Sequence, residues 1–186
     1  YLANLVHLEL DHNNLTGVIP PEIGYLVNLY HLELDNNNLS GEIPSEIGYL
    51  TNLVHLELTN NNLSGEIPLE IWNLTYLINL DLWGNNLSGE IPVEICYQGD
   101  ITPILDDNQL CPPYPDCLSQ QDIGQQDISS CWSCEDDNVY DLWGECYHAD
   151  YLTSLDLSNS QLTGEIPEEI GNFVNLDYLN LSSNQL

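Results

Sequence analysis

The sequence predicts an α/β repeat solenoid: short parallel strands stacked coil on coil, with a short helical turn closing the opposite side. Three observations carry this. One phrase is written four times at a spacing of 24 residues: Tyr1–Gly24 reads YLANLVHLELDHNNLTGVIPPEIG, Tyr25–Gly48 reads YLVNLYHLELDNNNLSGEIPSEIG, and Tyr49–Trp72 and Asn73–Cys96 repeat it. Apolar residues recur at positions 5, 8, 10, 15, 19 and 23 of each unit, which in the second unit are Leu29, Leu32, Leu34, Leu39, Ile43 and Ile47. Turn-forming residues stand at fixed places between them. A period of this size marks a stack in which each unit buries its apolar edge only against its neighbours.

Each element follows in order. Leu-x-x-Leu-x-Leu alternates in its second half, which predicts a short strand with one side inward. Successive strands then stack as a parallel sheet about 4.8 Å apart. Position 13 is Asn13, Asn37, Asn61, Asn85, Asn108 and Asn184. An inward Asn at a turn hydrogen-bonds backbone groups of its own coil and the next, which the bend otherwise orphans. Position 17 is Gly17, Gly41, Gly65, Gly89 and Gly164, where the backbone turns tightly. Pro20, Pro44, Pro68, Pro92 and Pro167 follow, suited to entering a short helical turn on the opposite face.

Composition narrows the function classes. The chain has 186 residues, no Lys or Arg, 30 Asp plus Glu and a formal charge of −30. Phosphate binding needs cations, so nucleic acid is excluded as a partner. Anionic membrane surfaces are disfavoured for the same reason, and no apolar run is long enough to insert in a membrane. Basic ligands, divalent cations and polyhydroxyl ligands stay open, as does simple solubility in a salty medium. The chain opens at Tyr1 inside one repeat and stops at Leu186 inside another, the pattern of a mature fragment or the ordered part of something longer. Six cysteines, an even number, fit disulfides in an oxidising compartment. Zinc is the weaker reading, because Cys131 and Cys134 form a CxxC pair with no second pair at finger-like spacing.

The repeat resembles the plant-type leucine-rich repeat, LxxLxLxxNxLxGxIPxxIG, over Tyr1–Cys96 and again over Tyr151–Leu186. The L-S-G-E-I-P element is specific to that class. The resemblance implies a right-handed superhelix with a concave parallel β-sheet, a second short sheet on its flank and 3-10 turns outside. Members are mostly extracellular recognition ectodomains, including the outer parts of receptor-like kinases and polygalacturonase-inhibiting proteins. Between the two matches the register breaks. Leu105, Asn108 and Leu110 still fit positions 10, 13 and 15, so a degenerate fifth coil begins. Cys111-Pro-Pro-Tyr-Pro-Asp-Cys117 then resembles the family's C-terminal cap, L-C-G-x-P-L-x-x-C, with Pro112 where the family has Gly. Trp143-Gly144-Glu145-Cys146 before Leu152-x-x-Leu155-Asp-Leu157 resembles its N-terminal cap. The expected organisation is four repeats in 1–96, a C-terminal cap in 97–131, an N-terminal cap in 132–150 and the start of a second array in 151–186. Six cysteines allow fifteen pairings. The family caps favour Cys134–Cys146 and Cys111–Cys117, which leaves Cys96–Cys131.

Repetition turns each exposed position into a column. Position 7 gives His7, His31 and His55, then Asn79; position 9 gives Glu9, Glu33, Glu57, Asp81 and Asp156; position 11 gives Asp11, Asp35, Thr59 and Trp83. Positions 7 and 9 flank the inward Leu and project from the concave sheet, with Tyr30, Trp83 and Tyr178 as exposed aromatic contacts for sugar rings or peptide. The candidate ligand-binding residues are therefore His7, Glu9, Tyr30, His31, Glu33, His55, Glu57, Asp81 and Trp83. Closely spaced carboxylates repel, and Ca²⁺ or protonation relieves this, so Glu9, Glu33, Glu57, Asp11 and Asp35 are candidate cation ligands; His stacked beside Glu also suits a transition metal. The competing explanation is duplication, which repeats whatever residue the first copy carried. Tyr1, Tyr25 and Tyr49, at position 1, are expected to be partly buried on the convex side, and Trp72, which replaces the repeat Gly, is expected to pack. N-x-S/T sequons place candidate glycans at Asn14, Asn38, Asn62, Asn73, Asn86 and Asn180, although the repeat consensus itself dictates part of that motif.

No Ser, Cys or Thr has the base partner an activated nucleophile needs, and no cofactor is implied beyond Ca²⁺, so the chain is expected not to be an enzyme. Two function classes remain. One is an extracellular recognition or adhesion module that binds a protein or carbohydrate on an acidic concave surface. The other is a structural block whose copies stack end to end into a filament or surface layer.

Overall fold

The computed structural model describes residues 2, 4–99 and 101–186; Tyr1, the first of the position-1 tyrosines, lies outside them. The chain divides into two compact units, Tyr1–Ile128 and Ser129–Leu186.

The first unit is a solenoid. Among the described residues, His7–Glu9, His31–Glu33, His55–Glu57, Asn79–Asp81 and Thr102–Ile104 form one five-stranded parallel sheet in sequence order. Equivalent positions face each other at every step: Leu8, Leu32, Leu56 and Leu80 are in register, as are the His and acidic positions beside them. A second parallel sheet runs along one flank through Thr16–Gly17, Asn38–Gly41, Asn62–Gly65, Asn86–Glu90 and Gln109–Cys111. The opposite side is closed by 3-10 turns at Pro21–Tyr25, Ser45–Tyr49, Leu69–Asn73 and Val93–Tyr97, each preceded by its repeat Pro. The apolar positions fill the space between: Leu29, Leu32 and Ile47 are fully buried and belong to one continuous core.

The Asn column is what lets a coil bend this tightly. Asn61 accepts from the Leu39 N–H at 3.0 Å and donates to the carbonyls of Leu34 and Leu58 at 3.0 and 3.1 Å. Asn37, Asn85 and Asn108 repeat the pattern, and all four are buried. In the first two coils, Gly24 and Gly48 are required by proximity, not by backbone angle. A Cβ on Gly48 would lie 2.6 Å from the Glu70 Cβ and 2.7 Å from its carbonyl oxygen. Trp72 occupies the equivalent place in the next coil and is buried, as its packing role requires. Tyr25 and Tyr49 depart from expectation: they are 54% and 61% exposed, because the turn carries them outward.

The segment after the fifth strand continues the ladder with different residues. Ser119 caps the short helix Gln120–Ile123 in a capping box with Asp122. The segment after it takes the place of another strand, with the Leu105 and Asp107 N–H groups donating to the Asp122 and Gln125 carbonyls at 2.9 and 2.8 Å. Gln126 then acts as the next Asn: it accepts from the Leu110 N–H at 3.0 Å and donates to the Leu105 carbonyl at 2.8 Å. The open edge of the sheet is thereby paired.

Two of the three expected disulfides are not formed. Cys96 pairs with Cys117 (Cα–Cα 5.7 Å), which replaces both Cys111–Cys117 and Cys96–Cys131. Stacking decides this. Cys96 closes the last 3-10 turn, and Cys117 returns above it almost one coil later, 21 residues on, whereas Cys111 lies in the flank sheet opposite Glu90. None of the six cysteines is free.

The second unit opens with an antiparallel hairpin, Val139–Leu142 with Glu145–His148. Its two-residue turn, Trp143–Gly144, has positive φ at both residues (58° and 93°). That is the type I′ combination, whose twist matches the strands it joins. Cys134–Cys146 forms as expected and ties the preceding loop to the hairpin. Ser154–Asp156 and Tyr178–Asn180 pair in parallel, with a 3-10 turn at Glu168–Asn172 between them. Leu142, Ala149, Leu155 and Phe173 form the core, and Asn184 makes the same bonds to Leu162 and Leu157 that Asn61 makes in the first unit.

Candidate ligand-binding face

The outward side of the first unit's main sheet brings most of the predicted site residues together. Alternation sends Leu32 and Leu56 into the core, so His31, Glu33, His55 and Glu57 project the other way. Register then converts repetition into contact. The rings of His31 and His55 stack with centroids 4.2 Å apart, and those of His7 and His31 lie 4.8 Å apart. Tyr30 joins them, stacked on His31 at 5.0 Å and within 6.3 Å of His7 and 6.2 Å of His55. Four aromatic rings thus form one patch at the edge of the face.

The acidic column runs beside it. Glu9, Glu33, Glu57 and Asp81 are direct neighbours across the strands. The His31 Nδ1 is 3.5 Å from a Glu33 oxygen, which links the two columns. Asn79 ends the His column and donates to Glu57 at 3.0 Å. Burial raises the Glu57 pKa, followed by the charges of Glu33 and Asp35, and the Asn79 hydrogen bond opposes them. Burial also lowers the His55 pKa, aided by His31 and opposed by Glu33. Both residues are pushed toward their neutral forms. Trp83 lies just beyond its strand, 37% exposed, with its backbone N–H bonded to Asp81.

Of the candidate cation ligands, Asp11 and Asp35 come together with His12, a residue that the column argument passed over. One ligand atom from each lies within 4.8 Å of the others, and His12 Nδ1 is 3.0 Å from Asp11 and 3.8 Å from Asp35. Its position, not its residue type, carried the signal: His12 holds the left-handed place (φ 51°) that Asn36 and Asn60 hold in the next coils, which sets its side chain beside the position-11 column. Glu9, Glu33 and Glu57 form a ladder outside this group. In the second unit, hydrogen bonds from Ser158, then Asn180 and Tyr178, lower the Asp156 pKa. Of the sequons, Asn14, Asn38, Asn62, Asn73 and Asn86 are exposed, while Asn180 is partly buried and donates to Asp156 at 3.1 Å.

The leucine-rich repeat family model matches residues 4–26, 28–50, 52–74, 76–97 and 151–173. No curated protein sequence matches the chain significantly. Among solved structures, the Arabidopsis thaliana BIR2 ectodomain is 37% identical over 62% of this chain and 64% of its own, with a TM-score of 0.58. The leucine-rich repeat ectodomain of the Arabidopsis receptor kinase HAESA, solved with an IDA peptide hormone ligand, is 34% identical over 98% of this chain and 26% of its own, with a TM-score of 0.61. The Arabidopsis thaliana BIR3–SERK2 complex gives 39% identity over 60% of both chains and a TM-score of 0.52. The chain thus spans 64% of the first of these relatives and about a quarter of the second. On the matched repeats, the stacked parallel strands and the Asn ladder that joins them, the chain belongs to the leucine-rich repeat family.

Proposed function

We propose that the chain is a non-enzymatic extracellular recognition module that takes a protein or peptide ligand across the outward face of its five-stranded sheet. The observation that carries this is the register of that face. Positions 7 and 9 stay aligned from strand to strand, so the surface is a rigid set of rows, and its aromatic patch is assembled before any ligand arrives. A rigid surface loses little conformational entropy on binding. The similar structures support the reading, one an ectodomain solved with a peptide hormone and one the BIR3–SERK2 complex. Cysteines that are all oxidised suit an extracellular setting.

Selection of a displayed random-peptide library on the immobilised chain tests this. Enriched peptides are expected to lose at least about tenfold in affinity when Tyr30 and His55 are both changed to Ala, since exposed aromatic anchors contribute about 1–2 kcal/mol or more each. They are expected to bind a Glu66→Ala variant, altered on the flank, as before. Failure to enrich any peptide, or equal binding to both variants, refutes the reading.

A further inference from the structure

We propose that this face selects a cationic, extended segment, laid across the strands so that Lys or Arg side chains at every second residue meet the row Glu9–Glu33–Glu57–Asp81. The inference rests on the reading of this sheet face as the ligand surface and adds the chemistry of the ligand.

Three features of the molecule lead to it. The chain has no Lys or Arg anywhere, so it has no permanent cation with which to pair an anionic ligand. Burying a ligand's negative charge against such a surface leaves that charge unpaired, which is a strong penalty. Second, the acidic row is continuous over four strands and is backed by Asp11 and Asp35 in the next column. These carboxylates repel one another across the strand spacing, so a cation between two of them relieves repulsion and adds attraction. Third, the acidic row is bordered by the Tyr30 and His7–His31–His55 patch. A guanidinium stacks on aromatic faces while its fork reaches a carboxylate, and the stem of Lys lies along apolar surface with its charge outward. The two columns therefore match the two halves of a long basic side chain.

The lengths also match. Four strands at about 4.8 Å span about 14 Å. An extended peptide places same-side residues about 6.7 Å apart, so residues i, i+2 and i+4 span about 13 Å. Centred on the row, three cations at that spacing meet its two end members, Glu9 and Asp81, and the gap between the central pair, Glu33 and Glu57. Contiguous cations alternate sides and present only half their charge to the face.

A molecule with a charge of −30 attracts any cation loosely, so the test compares variants of equal charge. The probes are end-capped pentapeptides: Arg-Ser-Arg-Ser-Arg, its uncharged Gln-Ser-Gln-Ser-Gln counterpart and the acidic Glu-Ser-Glu-Ser-Glu. Their affinities are measured by calorimetric titration against wild type, the face variant Glu33→Gln/Glu57→Gln and the flank variant Glu42→Gln/Glu66→Gln. Glu42 and Glu66 line a groove at the flank, so the two variants remove the same charge from different surfaces. The expected result is binding of the Arg peptide that weakens at least tenfold in the face variant and less than about twofold in the flank variant, with no binding of the other two. Equal weakening in both variants overturns the proposal by showing diffuse attraction. Tighter binding of the neutral or acidic peptide at the face also overturns it while leaving the ligand-face reading intact. If no probe binds and library-selected peptides are also insensitive to Tyr30→Ala/His55→Ala, the ligand-face reading itself fails.

Discussion

Replacing Asn61 with Ala removes one rung of the ladder that joins the coils, and its cost can be worked out group by group. The Asn61 carbonyl receives the buried Leu39 N–H at 3.0 Å, and Ala offers no substitute acceptor. An orphaned buried donor costs about 1–3 kcal/mol. The amide nitrogen donates to the Leu34 and Leu58 carbonyls, but each of these also accepts from another Asn, Leu34 from Asn37 and Leu58 from Asn85. Each loses one donor of two, roughly 0.5 kcal/mol apiece. The sum is about 2–4 kcal/mol. Asn13→Ala is the control. Asn13 is exposed and, among the described residues, bonds only within its own coil, to the Leu10 and Asp11 carbonyls at 3.1 and 2.9 Å, so its loss should cost less than about 1 kcal/mol. Urea unfolding followed by circular dichroism reads the difference. With a slope of about 2 kcal/mol per M, Asn61→Ala should lower the midpoint by about 1–2 M. Amide exchange at Leu39 should accelerate in the same variant. If the two variants unfold within 0.5 M of each other, or if Leu39 stays protected, the ladder does not carry the coil-to-coil stability assigned to it.

Other consequences follow from the same contacts. Gly48→Ala should cost about 1–3 kcal/mol in urea unfolding, because its Cβ meets Glu70, whereas Gly171→Ala, with nothing within 4 Å, should be neutral or slightly stabilising. Digestion at Asp under non-reducing conditions should recover Cys96 linked to Cys117, and Cys96→Ser/Cys117→Ser should destabilise the first unit by about 3 kcal/mol; a Cys111–Cys117 peptide pair would contradict the stacked geometry. Acidification should cost stability through His55. Its folded pKa lies below the ordinary histidine value of 6.5, so the folded state binds fewer protons than the unfolded chain. Stability from this group is complete above pH 6.5 and is lost as pH falls through the lower folded value. His55→Gln should flatten that part of the stability curve. Glu57 has the opposite sign. Its pKa is raised from 4.5, so stability falls as pH rises from 4.5 through the folded value, and Glu57→Gln should remove that slope.

Repetition made the architecture legible. Position 13 identified the Asn rungs, positions 5, 8 and 10 identified the core, and the columns identified which side chains share a face. Each of these depends on one residue type recurring at one spacing, and translation along the stack does the rest. Where the repeat stops, residue type no longer indicates role. Gln126 continues the Asn ladder from a segment with no match to the repeat, because only the path of that segment brings its amide to Leu110 and Leu105. Cys117 passes over the nearby Cys111 for Cys96, because stacking sets the distance between sulfurs and chain separation does not. His12 joins Asp11 and Asp35 through a left-handed backbone angle that its own identity does not announce. The sequence by itself therefore determined the coil, its core and the rows of its surface, all of which are local patterns copied by translation. Only the tertiary structure decided which sulfurs meet, what ends the ladder, and that the His and Tyr30 rings lie close enough to act as one patch, since these depend on distances between coils.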